Sequence, residues 1–192
     1  MFENLRGDFA RARDDRIRTL ERGWNRSVWL SNLRILVAMN TWTIITYRFA
    51  HWVVKLRVPV VRQLLMVVAI ALERWVRLWT GIIIHRDAEI GPGLVVHTPY
   101  GVFVGPTKIG ANCTVGSGVV IAAGSRGVGD NVYFGPGAKL IGTAKVGNNV
   151  VIMANSLVLT DVPDNTTIVG VPARIRLRGG RPQRFEPKAT SA

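Results

Sequence analysis

Ile109-Gly110-Ala111-Asn112-Cys113-Thr114-Val115-Gly116-Ser117-Gly118-Val119-Val120-Ile121-Ala122 is the stretch on which the reading of this chain turns. Ile109, Val115 and Ile121 stand six residues apart. Each is followed by Gly or Ala, and Cys113 and Val119 fall three places beyond that small residue. The same beat runs outward in both directions. Ile84, Ile90, Val96 and Val102 precede the stretch, and Val128, Phe134, Leu140, Val146, Ile152 and Val158 follow it. All steps are six residues except Val102 to Ile109 and Ile121 to Val128, which are seven. Neither a helix, with about 3.6 residues per turn, nor the simple alternation of a strand produces this period.

A physical account follows from the spacing. A short strand points one large apolar side chain inward, and a tight turn then changes direction, with Gly or Asn/Asp relieving the backbone. Three such strands close a triangular coil, and stacked coils bury each inward residue against those above and below. The pattern is the hexapeptide repeat of left-handed parallel β-helices, and residues 84–163 supply about four and a half coils. One extra residue near Lys108 and one near Gly127 are expected to bulge outward, near clefts between subunits. The flat faces of such a prism are expected to pair around a threefold axis as a homotrimer. Cys113 is expected to pack inward. As the only cysteine it excludes an internal disulfide and an all-cysteine metal site.

The 192 residues are 48% hydrophobic and 19% charged, which excludes disorder as the default. The net charge of +13 is uneven. Residues 1–83 hold 14 Lys and Arg against 6 acids, and residues 84–174 hold 6 against 5. The last 18 residues hold 5 against 1. All six tryptophans lie in residues 1–83, and fifteen of the twenty glycines lie in 84–174. The expected class is therefore α+β. A basic, Trp-rich helical region spans 1–83, a left-handed β-helix spans 84–174, and a basic flexible tail spans 175–192. Helices are read over roughly 2–22, 28–54 and 60–78, with Val58-Pro59 separating the last two. The third helix has a narrow polar stripe, Arg62, Glu73 and Arg77, and is otherwise almost wholly apolar. The longest charge-free run in this part is Ile35–Tyr47, too short for a spanning helix of about 20 residues. Two readings of the region stay open: packing between subunits, or a peripheral layer on an anionic membrane surface. Residues 1–26 carry five acids and no apolar core, so no secretory signal is read there, and the expected location is the cytoplasm, or the inner face of its membrane.

From about residue 40 to 175 the sequence resembles the serine O-acetyltransferase branch of the hexapeptide acyltransferases. Arg48-Phe49-Ala50-His51-Trp52 is similar to that family's helical R-x-A-H-W segment. Thr80-Gly81-Ile82-Ile83-Ile84-His85 is similar to T-G-I-D-I-H, and Gly135-Pro136-Gly137-Ala138-Lys139 to G-A-G-A-K. Ala154-Asn155-Ser156 and Val169-Gly170-Val171-Pro172-Ala173-Arg174 resemble the closing coil. The resemblance implies a trimer and the use of acetyl-CoA. The departures fall on the chemistry. The aspartate of D-I-H is Ile83 here. The family's catalytic Asp-His pair, in L-x-I-D-H-x-T-G, aligns with His97 and Thr98. The long acceptor loop is reduced to Ala122-Ala123-Gly124-Ser125-Arg126-Gly127, without a second histidine.

An O-acetyl transfer needs a base for the hydroxyl proton, donors for the oxyanion and a slot for the pantetheine arm. Imidazole suits the first task, and His97 is the expected general base. Thr98, Tyr100 and Arg126 are the expected acceptor contacts, with Tyr133 a further aromatic candidate. Ala138, Lys139, Ala154 and Arg174 are the expected CoA contacts, with Arg176 and Arg178 as further cations. Pro136 replaces a family alanine whose N–H points toward CoA, and proline has none to offer. Gly101 and Gly118 are candidate oxyanion donors. His51 is read as a packing residue and His85 as a turn residue. His85 and His97 cannot supply the three histidines of a zinc site, so no metal is expected. No nucleic-acid recognition motif is present. The favoured activity is transfer from acetyl-CoA to a small hydroxyl acceptor, a sugar or exopolysaccharide precursor ahead of free serine. A catalytically silent β-helix scaffold is one alternative, and a serine O-acetyltransferase of cysteine biosynthesis is another.

Overall fold

A computed structural model describes residues 4–12, 39–98, 100–178 and 181–182. Among the described residues three helices precede the strands: α1 over residues 4–12, α2 over Met39–Val54 and α3 over Pro59–Thr80. The expected break falls as read, since Val58 is extended (φ −86°, ψ 109°) and Pro59 opens α3, where its missing N–H costs nothing. The helix runs two residues past the expected Leu78 and stops at Gly81, whose φ of 62° is the left-handed C-cap conformation. Of the expected helices over 2–22 and 28–54, the parts at 2–3, 13–22 and 28–38 lie outside the described residues.

The strands form a three-sided parallel prism. Its first face stacks Ile83–Ile84, Phe103–Val104, Val120–Ile121, Lys139–Leu140 and Leu157–Val158. The second stacks Glu89–Ile90, Lys108–Ile109, Gly127–Val128 and Lys145–Val146, and Val162 bridges to Val146 below them. The third stacks Val95–Val96, Thr114–Val115, Tyr133–Phe134, Val151–Ile152 and Thr167–Val169. The second residue of each strand points inward and meets its equivalents in register, so Val96, Val115, Phe134 and Ile152 form one buried column. Cys113 is fully buried, as read, and burial pushes its thiol up to about 11. Thiolate is therefore scarce at neutral pH and the residue is inert packing.

The register corrects one step of the periodicity. Val104, not Val102, pairs with Ile84 and Ile121 as the inward residue. The step from Val96 is thus eight residues and the step on to Ile109 only five. The extra length sits in the corner over residues 97–102, not near Lys108. Tyr100 (φ 98°) and Gly101 (φ 69°) widen that corner, and the Tyr100 N–H donates to the Thr80 carbonyl at the end of α3. Val102 is nevertheless buried, in the slot the repeat reserves for a small residue. The extra residue before Gly127 stands where it was expected, with Gly124 and Gly127 at φ 95° and 117°. The prism also runs on through Val162 and Ile168, a fifth turn whose first step is shortened to four residues.

Past Arg174 the chain does not simply trail away. Arg174–Ile175 pairs antiparallel with Thr167–Val169, and Leu177–Arg178 pairs with Arg181–Pro182. The rest of the tail, 179–180 and 183–192, lies outside the described residues.

A polar clamp joins the helices to the first coil. Asp8 and Arg48, both almost fully buried, form an ion pair of 3.1 Å. Arg48 also donates to the carbonyls of Ile90 and Gly91, while the Leu94 N–H donates to Asp8 at 2.8 Å. Burial pushes the Asp8 carboxyl above its ordinary value, against the pull of the Arg48 guanidinium. The R-x-A-H-W resemblance thus marks a structural joint: Arg48 binds the coil, Ala50 is fully buried, and the His51 Nδ1–H donates to the Arg86 carbonyl at 2.8 Å.

Candidate active site

The corner between the third and first faces gathers most of the expected site residues. Each coil reaches it just after an inward residue of the third face, so His97, Gly116, Gly135 and Met153 follow one another down the edge. His97 is exposed, and its backbone N–H donates to the Val115 carbonyl at 3.0 Å, which fixes where the imidazole leaves the prism. Thr98 is exposed beside it, and Tyr100 keeps 66% of its surface. Directly below Tyr100 stand Ser117, Pro136 and Ala154. The chain of bonds Gly118 N–H to Tyr100 O, Gly137 N–H to Ser117 O and Asn155 N–H to Pro136 O holds them in line.

The first two positions beneath His97, Gly116 and Gly135, have no room for a side chain. A Cβ on Gly116 would lie 2.8 Å from the Pro136 nitrogen, and one on Gly135 would lie 2.6 Å from the Ala154 nitrogen. The result is a strip of backbone left bare over two coils, at Gly116 and Gly135, with Met153 below it, about 10 Å at the usual strand spacing. Lys139 is exposed on the first face beside this strip. Ala154 is exposed, and among the described residues its N–H donates no hydrogen bond. Arg174 is exposed at the foot of the same edge, paired with Val169.

Two expected residues fall elsewhere. Arg126 lies on the corner between the first and second faces, because it follows the first-face strand Val120–Ile121. Its guanidinium binds the Asp161 carboxylate and the Thr143 carbonyl, holding that carboxyl below its ordinary value. Within one chain it does not join His97. Ala138 is fully buried in the inward small slot, its N–H donating to Gly135 O and its carbonyl accepting from Val120 N–H. That leaves it no group for a ligand. The Gly118 N–H is likewise spent on the Tyr100 carbonyl at 3.0 Å, which removes it as an oxyanion donor. His85 sits on the same corner as Arg126, one prism edge away from His97, with its Nδ1 accepting from the Asp87 N–H at 3.3 Å.

Reading the sequence missed a second feature. A groove of about 800 Å³ opens between α2, α3 and the first strand, lined by Thr46, Tyr47, Glu73, Arg77, Ile83 and Arg86 among others. Glu73 pairs with Arg86 at 3.4 Å, and its Oε1 is buried without a partner among the described residues. Burial raises this carboxyl above its ordinary value. The lone acid on an otherwise apolar and basic helix was the available signal. Among the described residues no three His, Cys, Asp or Glu side chains come together in a way that could hold a metal ion.

No protein-family model matches the chain. The serine acetyltransferase of Synechococcus elongatus is 37% identical over 145 residues, which cover 71% of this chain and 57% of that protein. Soybean serine acetyltransferase, solved in complex with serine, superposes with a TM-score of 0.69 at 28% identity, over 90% of this chain and 68% of that one. A serine acetyltransferase solved in complex with CoA gives a TM-score of 0.62 at 30% identity, over 72% and 57%. The chain thus spans little more than half the length of the Synechococcus protein. Over its helices and its left-handed β-helix, the chain is similar in sequence and in fold to the serine acetyltransferase branch of the hexapeptide-repeat acyltransferases.

Proposed function

We propose that this chain transfers an acetyl group from acetyl-CoA to the hydroxyl of a small acceptor, with L-serine the first acceptor to test. The observation that carries the reading is the exposed His97 at the head of a bare strip of backbone on one prism edge. The pantetheine arm runs along this strip past Gly116 and Gly135. Ala154 offers its N–H to the arm, and Lys139 and Arg174 offer charge to the CoA phosphates. His97 takes the hydroxyl proton as the oxygen attacks the thioester carbonyl. The new C–O bond forms, the C–S bond breaks, and the CoA thiolate recovers the proton. Thr98 and Tyr100 border the place where the acceptor enters.

Serine moves ahead of the sugar reading because the relatives are serine acetyltransferases and no comparison brings a sugar substrate. A threefold assembly completes the site in this reading. The first face turns Ile83, Phe103, Val120 and Leu157 outward with Lys139 as its one charge, whereas the second turns out Glu89, Lys108 and Lys145. A neighbouring copy on the apolar face walls the His97 edge from one side. Sedimentation equilibrium should give three times the 21.1 kDa chain mass.

The test is thiol release from acetyl-CoA with and without serine or sugar acceptors, for the native chain and for His97→Ala. Acceptor-dependent release that falls at least about 100-fold in the variant is expected, the usual scale for a general base. Release untouched by the substitution removes His97 from the mechanism. Binding of CoA without turnover on any acceptor replaces the enzyme by a scaffold.

A further inference from the structure

Helix α3 has two unlike faces. Toward the protein it presents the buried Ala69 and Thr80 and the half-buried Glu73, tied to Arg86 on the first coil. The opposite arc spans about 140° at 100° per residue and holds no charged or polar side chain. Leu78, Val67, Leu64, Val60, Trp75 and Trp79 on it keep between 56% and 80% of their surface. Arg74 borders this arc on one side, and the exposed Lys55 and Arg57 stand at its N-terminal end. At 22 residues the helix is about 33 Å long, so the apolar stripe is continuous over a large distance.

Charge decides what covers it. Lys55, Arg57, Arg62, Arg74 and Arg77 are exposed on and just before α3, whose one acid, Glu73, is half-buried, so a second copy brings like charge against like charge around the stripe. An anionic lipid surface offers hydrocarbon to the stripe and phosphate to the arginines beside it. No described helix is long and apolar enough to cross a membrane, so the element lies in the interface instead of spanning it. We propose that the outward face of α3 docks this protein on an anionic membrane surface, with Leu64, Val67, Trp75 and Trp79 at the headgroup–acyl boundary and Lys55, Arg57 and Arg74 at the phosphates. This inference is independent of the acetyl-transfer reading.

The full-length protein is to be co-sedimented with phosphatidylcholine vesicles, and with vesicles in which about 30% of the lipid is phosphatidylglycerol. Binding to the anionic vesicles that weakens with added salt is expected, and it should fall at least about tenfold in Trp75→Glu and in Leu64→Gln. Both positions are exposed, and circular dichroism checks that each variant folds. Two variants of different severity keep the test open should one of them fail to fold. Equal binding to both vesicle types overturns the charge argument. The docking face itself is overturned by an absence of binding to either vesicle or by binding that neither variant changes. It is also overturned by a change of oligomeric state in Leu64→Gln without loss of lipid binding.

Discussion

Phe134 and Trp75 are both large aromatic residues, yet Phe134 has no exposed surface and Trp75 keeps 63% of its own. Phe134 sits in a prism that closes on itself. Each coil covers the next, and the repeat leaves an inward position every few residues for an apolar side chain. Trp75 sits on a helix with one covered side, and the chain supplies nothing described for the other. Apolar residues therefore serve cohesion in the first region and remain available for contact in the second. Charge follows the same division, with the prism near neutrality and the helical region strongly positive.

The sharpest way to break this contrast is Phe134→Ala. Removing a fully buried aromatic side chain from the middle of a stacked column should cost about 3–5 kcal/mol, read as a lower urea midpoint at fixed protein concentration. A loss below about 1 kcal/mol would mean that the coils do not depend on one another for their core.

The joint between the two regions comes next. Arg48→Met leaves the Asp8 carboxyl buried without its countercharge, and breaking such a pair costs about 3–5 kcal/mol. Burial already places Asp8 above its ordinary value of 3.8, and loss of Arg48 raises it further. A carboxyl raised in the folded state contributes stability that is present at low pH and lost as pH rises through the folded value. The variant should therefore lie closer to the native protein near pH 4, about where the unfolded carboxyl titrates, than near neutrality. A deficit of equal size at both pH values would locate the effect in lost packing around the Arg48 stem.

These two experiments also mark how far the sequence could be read. The prism was legible because its period of six matches neither helix nor flat strand, and Phe134 was assigned inward from that period alone. The joint was not legible, because Asp8 and Arg48 are 40 residues apart and neither belongs to a repeat. Val102 was misassigned because Val102 and Val104 are both apolar and both buried, so hydrophobicity cannot choose between them. His97 could be placed on an exposed corner because it directly follows inward Val96. Arg126 carried the same kind of signal, since it follows a first-face strand and not a third-face one. Counting strands in threes separates it from His97. Residue type without that phase brought the two together.

Within the edge that carries His97, a smaller effect is expected at Pro136. Proline supplies no N–H at the place where the bare strip passes the proposed CoA arm. Pro136→Ala restores one donor, and a hydrogen bond of about 1 kcal/mol should lower the KM for acetyl-CoA roughly threefold to tenfold with kcat little changed. A KM that stays fixed would move the arm away from this strip.

The smallest effect should come from the exposed stripe. Val67 keeps 69% of its surface on α3, and glutamine is at least as good a helix former as valine. Val67→Gln should therefore shift stability by no more than about 0.5 kcal/mol, in either direction. The same substitution places an amide where the stripe would meet hydrocarbon, so lipid binding should drop while the urea midpoint holds still. A clear fall in the midpoint would show that the stripe is packed against protein, either more of this chain or a second copy. The helical region would then hide its apolar residues after all, as the prism does, only with a cover supplied from outside the described fold.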